Sequence, residues 1–150
     1  MRTAAMMSDE TEPQVYHVEE AIGHVIRRVH QRATAIFLDV MQETGLTPTQ
    51  FAALAKLHDE GALSQNHLGR LTAMDPATTQ GVIRRLVERG LIQRAADETD
   101  RRRAVLRLSD AGEELAQKAI SLGFDVTNRV LEPLSPRERA RFVSLLERLV

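Results

Sequence analysis

The residues best equipped for chemistry in this 150-residue sequence lie between positions 75 and 108. After Asp75 come Pro76, Ala77, Thr78, Gln80, Gly81, Arg84 and Arg85. Further on, Asp97-Glu98-Thr99-Asp100-Arg101-Arg102-Arg103 sets three acids beside three arginines. These are residue types that read nucleic acid. A glutamine pairs with adenine, an alanine touches a thymine methyl, and an arginine reaches guanine or phosphate. Thr78 can donate or accept. Small residues on a helix let its backbone come close to base edges. An arginine-loaded turn enters a narrow minor groove or grips phosphate. The acids in that turn are read as internal partners that fix the loop and orient one arginine. Ser64, Gln65 and Asn66 offer small polar groups and free N–H donors suited to phosphate. Ser64 equally fits a plain helix cap, and Arg70 a phosphate contact or a salt bridge. The bland alternative for all these charges is a solvated surface.

Catalysis and metal binding find little footing. The chain has no Cys, so a disulfide framework, a thiolate metal site and a thiol redox sensor are excluded. Its histidines stand at 17, 24, 30, 58 and 67 and form no His-x-x-x-His pair. No nucleophile elbow, P-loop or dinucleotide fingerprint is present. His30 and Asp39 are nine residues apart on one expected helix, too far for a dyad. The expectation is no enzyme, no metal and no built-in cofactor. No apolar run nears the roughly 20 residues that span a membrane, and no signal peptide opens the chain. A cytoplasmic protein without a membrane partner is expected.

Charge is unevenly placed. Net charge is −1, but positions 70–107 hold nine Arg and five acids, a local +4 that leaves −5 elsewhere. A basic lobe on an acidic body meets DNA in one orientation. Arginine outnumbers lysine 18 to 2 throughout, which tempers the local enrichment.

The elements that hold these residues follow from caps and periodicity. Thr47-Pro48 with Gln50 predicts a helix start, and Gly61 its end. In that helix Phe51, Leu54, Ala55 and Leu57 are expected to face inward. Leu63 fits a one- or two-residue strand. Ser64 caps a short helix reaching about Thr72, with Leu68 and Leu71 inward. Asp75-Pro76 opens the next helix, with Val82, Ile83, Leu86 and Val87 on its apolar face, and Arg89-Gly90 closes it. Two such helices joined by a tight turn make a helix-turn-helix. Residues 91–94 and 104–108 read as strands around the loop 97–103. The outward face of the second helix, at Pro76, Ala77, Thr78, Gln80, Arg84 and Arg85, is therefore a recognition surface, and the hairpin is a wing.

Helical spacing of apolar residues over 15–43 predicts one long helix of about 29 residues. Ser109 caps a fifth helix that ends at Pro133, and Ser135-Pro136-Arg137-Glu138 opens a last one. These terminal helices carry apolar stripes with no further layer to cover them, so two copies should interleave them as a homodimer. The expected division is a flexible tail at 1–14 and a single domain at 15–150. Within it, 15–45 and 109–150 serve dimerisation and 46–108 binds DNA. The expected fold class is mainly α with a small β-wing.

The segment Leu46-Thr47-Pro48-Thr49-Gln50-Phe51, the helix-turn-helix through Arg89-Gly90-Leu91-Ile92, and Asp97-Glu98-Thr99-Asp100-Arg101-Arg102 with Leu106-Arg107-Leu108-Ser109-Asp110-Ala111-Gly112 resemble the MarR family of transcriptional regulators. Ser109 replaces the family's Thr, and Gly81 stands where many members have a larger polar residue. The resemblance covers about 15–150. It implies a homodimer on a pseudo-palindromic operator of double-stranded DNA, and repression relieved by a small anionic effector, an aromatic acid or acyl-CoA. It further implies a ligand pocket near His24, Arg27, Arg28, Ile36, Phe37, Phe51, Leu54 and Val126. The rival reading is a winged-helix module for protein or RNA interaction without specific DNA binding.

Overall fold

A computed structural model describes residues 15–150; the expected tail at 1–14 lies outside the described residues. A 3-10 turn at Val18–Glu20 precedes helix α1, Ile22–Val40. The expected single helix over 15–43 is thus corrected to 19 residues flanked by two 3-10 turns, the second at Gln42–Thr44. Ala21 breaks the first join by taking an extended backbone (φ −64°, ψ 128°). Periodicity reports which side faces a partner, not continuity. Gly23, a poor helix former, follows the break, and Val15, Val18 and Ile22 are all exposed in this chain. Little within the protomer holds that segment in the α1 axis. At the other end Gly45 takes a left-handed conformation (φ 62°) and turns the chain into the next helix.

Helix α2, Pro48–Glu60, starts with the expected capping box: Gln50 N donates to Thr47 Oγ1 (3.3 Å) and Thr47 N to Gln50 Oε1 (3.2 Å). Helix α3 is Gln65–Leu71 and helix α4 is Pro76–Glu88. Strands β1, Ile92–Ala96, and β2, Ala104–Leu108, pair antiparallel with Ile92 opposite Leu108 and Ala96 opposite Ala104. β1 therefore lies further along than the expected 91–94, because Leu91 is used as the buried corner after α4. Leu63 adds an isolated bridge to Leu106 beside the two-stranded sheet. Helix α5, Asp110–Leu131, runs back beneath the body, and helix α6, Pro136–Glu147, closes the chain.

The core gathers Leu54 and Leu57 of α2, Leu68 of α3, Ile83 and Leu86 of α4 and Leu106 of β2, all essentially inaccessible. Each such side chain stabilises the fold by about 1.5–3 kcal/mol relative to exposure. Ala53, Ala116 and Ala119 allow close approach of α2 and α5. Two expected core residues are not in it: Leu71 is 39% exposed and Val87 37%. Leu71 is the last residue of a seven-residue helix, and Val87 lies at the rim where α4 leaves the body. Gly112 sits where α5 crosses Leu91; a Cβ there would run into the Leu91 carbonyl oxygen.

The terminal helices leave apolar surface uncovered. Ile22, Val25, Ile26 and Val29 of α1, Phe124 of α5 (68% exposed) and Leu145 and Leu146 of α6 face outward, and no residue of α6 is buried. No helix of the described residues is long and apolar enough to cross a membrane.

Candidate nucleic-acid interface

α4 is built from its cap. The Asp75 carboxylate accepts from Thr78 N and from Thr78 Oγ1, both at 2.8 Å. These bonds, the backbone one first, hold its carboxyl below the usual carboxylate range. A negative cap also suits the positive end of the helix dipole. Thr78 thereby commits its hydroxyl proton to the cap, so toward a base it keeps acceptor capacity only. Thr79 turns inward and donates to the Asp75 carbonyl (2.8 Å). Its Oγ1 lies against Gly69, where a Cβ would stand only 2.8 Å away, so α3 and α4 meet at a glycine contact.

With Thr79, Val82, Ile83 and Leu86 buried, the outward face of α4 is Pro76, Ala77, Thr78, Gln80, Arg84 and Arg85. Arg84 is held loosely by Glu88 at 3.9 Å. A Cβ at Gly81 would meet nothing within 4 Å. Packing therefore does not demand glycine there; its effect is to leave the helix backbone open to an incoming surface. Beside it lies a hollow of about 400 Å³ lined by Ala77, Gln80, Gly81, Arg84 and Arg94.

The wing tip is braced as expected from its acids. Asp97 Oδ1 accepts from Thr99 Oγ1 (2.7 Å), Thr99 N (2.8 Å) and Asp100 N (3.3 Å). These bonds, the hydroxyl one first, lower the Asp97 pKa. Asp100 accepts from Arg102 N (3.1 Å) and pairs with the Arg103 guanidinium (3.5 Å). Glu98 pairs across the hairpin with Arg107 (3.0 Å). Among the described residues, the Arg101 and Arg102 side chains make no ion pair and no hydrogen bond, and both are exposed. The tip thus spends its acids on its own backbone, Arg103 and Arg107, and presents two uncommitted cations.

Ser64 accepts from His67 N (3.3 Å), so its hydroxyl serves as the α3 cap. Gln65, Asn66 and Arg70 line a hollow of about 340 Å³ shared with Pro76 at the start of α4. Every residue expected at a DNA surface is thereby placed on α3, α4 or the wing tip. Arg94 is the one that sequence reasoning missed. It lies on β1, yet borders both the α4 hollow and a second one of about 330 Å³ with Arg101, Arg102 and Arg103. The signal was an arginine five residues after Arg89, which ends α4, on a hairpin that folds back beside that helix.

The eight residues implied as an effector pocket fall into two groups. Phe37 and Phe51 meet with ring centroids 5.7 Å apart, and Phe51 also abuts Gly123 of α5. Ile36 and Val126 are half-buried nearby on their helices, while Leu54 is wholly buried and offers no surface. His24 and Arg27 meet instead in the first half of α1, where Arg27 and the His24 Nδ1 are 2.9 Å apart, and Arg28 is exposed beside them. That group precedes Phe37 by nine to thirteen residues, about 13–20 Å of helix. One protomer does not bring the two groups together.

The chain matches the family model described as MarR family over residues 44–103. It is 35% identical over 135 residues to the HTH-type transcriptional repressor NicR of Pseudomonas putida, covering 90% of this chain and 85% of that one. Among solved structures it is similar to a probable transcriptional regulator from Pseudomonas aeruginosa, at 43% identity and a TM-score of 0.82, over 89% of this chain and 100% of the other. It also resembles Bordetella bronchiseptica BpsR, whose DNA binding is regulated by 6-hydroxynicotinic acid. That match has 36% identity and a TM-score of 0.84 over 91% and 97% of the two chains. With a cap-anchored recognition helix, an acid-braced arginine wing and these relatives, the chain belongs to the MarR family, as a winged-helix DNA-binding transcription regulator and not an enzyme.

Proposed function

We propose that the protein is a homodimeric repressor that grips a pseudo-palindromic operator and releases it on binding a small aromatic carboxylate. The observation that carries the DNA reading is the uncommitted pair Arg101 and Arg102 beside an α4 face opened at Gly81. α4 then enters a major groove while the wing arginines take the flanking minor groove or phosphates. Dimerisation is supported by the many uncovered apolar residues of α1, α5 and α6. A second copy supplies that burial and spaces two recognition helices about one helical turn of DNA apart.

The effector class is supported by similarity to BpsR and by the chemistry of the two residue groups. Phe37 and Phe51 suit an aromatic ring, and His24, Arg27 and Arg28 suit a carboxylate. Since one protomer holds these groups apart, the cationic group works on a ligand only where a second copy brings it to the aromatic one, which makes effector response depend on the dimer. The test is fluorescence anisotropy on a labelled duplex from upstream of the protein's own gene, with and without 6-hydroxynicotinate. Affinity at low salt that falls on adding the acid supports the reading. Affinity indifferent to the acid, with no heat of binding to the free protein, refutes this effector. Binding without any preference over a scrambled duplex refutes the operator.

A further inference from the structure

α4 is held on its inward face by Val82, Ile83 and Leu86 in its second half and, nearer its start, by Thr79 against Gly69 of α3. The exposed residues of its reading end, Pro76, Ala77, Thr78 and Gln80, lie on the side away from those contacts. Its tilt about those contacts is then set by what fixes its far end. That end is Arg89, the C-cap, whose own N–H bonds to the Arg85 and Val87 carbonyls. Its guanidinium reaches 44 and 45 residues back along the chain. Nη1 donates to the Gly45 carbonyl (3.2 Å) and Nη2 to the Thr44 carbonyl (3.0 Å).

Those two carbonyls are firm points. Thr44 is buried; its Oγ1 donates to the Met41 carbonyl at the end of α1 (2.7 Å) and accepts from Leu46 N (3.2 Å). Gly45 is in the left-handed conformation that turns the chain from α1 toward α2, and Thr47 soon after starts the α2 capping box. Glu43, one residue before Thr44, pairs with Lys118 of α5 (3.1 Å). On the other side of Arg89, Ser109 Oγ donates to the Gly90 carbonyl (2.6 Å) and Ser109 N to that of Leu91 (3.0 Å). The recognition helix is therefore tied by one side chain to the knot where α1, α2 and α5 meet.

We propose that Arg89 is a positioning residue for DNA recognition: by holding the α1–α2 junction it sets the tilt of α4, without touching DNA itself. From Val82, at the middle of the buried contacts, to Ala77 is five residues, a lever of about 8 Å. A tilt of about 5° moves the reading end by about 0.7 Å, more than the roughly 0.5 Å width of the hydrogen-bond window to a base edge. Sequence-specific contacts suffer from such a shift; phosphate contacts, made by longer and more adaptable side chains, do not. A planar guanidinium with parallel donors suits two adjacent carbonyls better than a methionine or a single ammonium.

The experiment compares the wild-type protein with Arg89→Met and Arg89→Lys on two duplexes: one that the wild type itself selects from a randomised pool, and a scrambled duplex of equal composition. Arg89→Met should weaken the selected duplex about tenfold, the equivalent of one lost base contact, and leave the scrambled duplex and the salt slope unchanged. Arg89→Lys, which keeps the charge but not the paired donors, should recover only part of the loss. Equal weakening on both duplexes with a shallower salt slope would make Arg89 a phosphate contact and overturn the proposal. So would an unchanged selectivity ratio in Arg89→Met, or a melting temperature so reduced that the brace is a folding contact.

Discussion

Removing Arg101 and Arg102 together should change how operator binding depends on salt more than removing Arg103 and Arg107. Both side chains lack an acidic partner among the described residues, whereas Arg103 is paired with Asp100 at 3.5 Å and Arg107 with Glu98 at 3.0 Å. An uncommitted cation that reaches DNA displaces a condensed counterion, and each such contact contributes about 0.9 to the slope of log affinity against log salt. Two arginines in each of two copies therefore account for a slope of about 3.6 at full engagement. Between about 50 and about 200 mM salt, a slope of that size changes the ratio of wild-type to variant affinity by about 150-fold. The assay is anisotropy of a labelled duplex over that salt range, with Arg103→Ala/Arg107→Ala as the matched control that removes the same charge. The control should flatten the slope by less than half as much, because its arginines are already partly neutralised. An equal flattening in both double variants would refute the pairing argument. No flattening in Arg101→Ala/Arg102→Ala would remove the wing tip from the interface.

Leu54→Ala should cost about 2–5 kcal/mol in urea unfolding, since Leu54 is wholly buried at the centre of the core. Gly112→Ala should cost about 1–3 kcal/mol in the same measurement, because its Cβ would run into the Leu91 carbonyl oxygen and nothing flexible can give way. The carboxyls of Asp75 and Asp97 are lowered from an ordinary 3.8 by their hydrogen bonds. Their contribution to stability is therefore present above pH 3.8 and is lost as pH falls through their lower folded values. Carbon NMR titration should find both midpoints below 3.8, and a midpoint at or above it would contradict the cap and wing geometry. Sedimentation at micromolar concentration should give twice the chain mass, and Ile26→Glu combined with Leu146→Glu should give the chain mass; a monomeric wild type would exclude the dimer.

Much of the fold was legible because its helix starts are local. Asp75-Pro76, Thr47-Pro48 with Gln50, and Ser109 each decide a helix N-terminus through contacts within three residues, and all three stand where they were expected. The wing loop was legible for the same reason: Asp97 and Asp100 satisfy backbone groups two and three residues away. The failures concern what lies across space. The apolar stripe over 15–43 promised one helix, but periodicity is preserved through a break such as Ala21, and only packing decides whether the axis continues. Leu71 and Val87 have core-like spacing and rim positions, because burial depends on where neighbouring elements end. The implied effector residues share helices with one another, yet His24, Arg27 and Arg28 stand nine to thirteen residues from Phe37 along α1, a distance that residue type alone does not reveal.

By itself the sequence determined the recognition helix, its cap, the wing and the arginines at its tip, since each follows from short-range steric and hydrogen-bonding rules. Tertiary structure alone decided which of those arginines are uncommitted, that Arg94 joins the helix face to the wing, and that Arg89 ties the recognition helix to the α1–α2 junction. The physical reason is reach. A guanidinium finds its partner across a fold, and the partners of Arg89 at Thr44 and Gly45 are backbone carbonyls, which every residue carries and no sequence pattern marks.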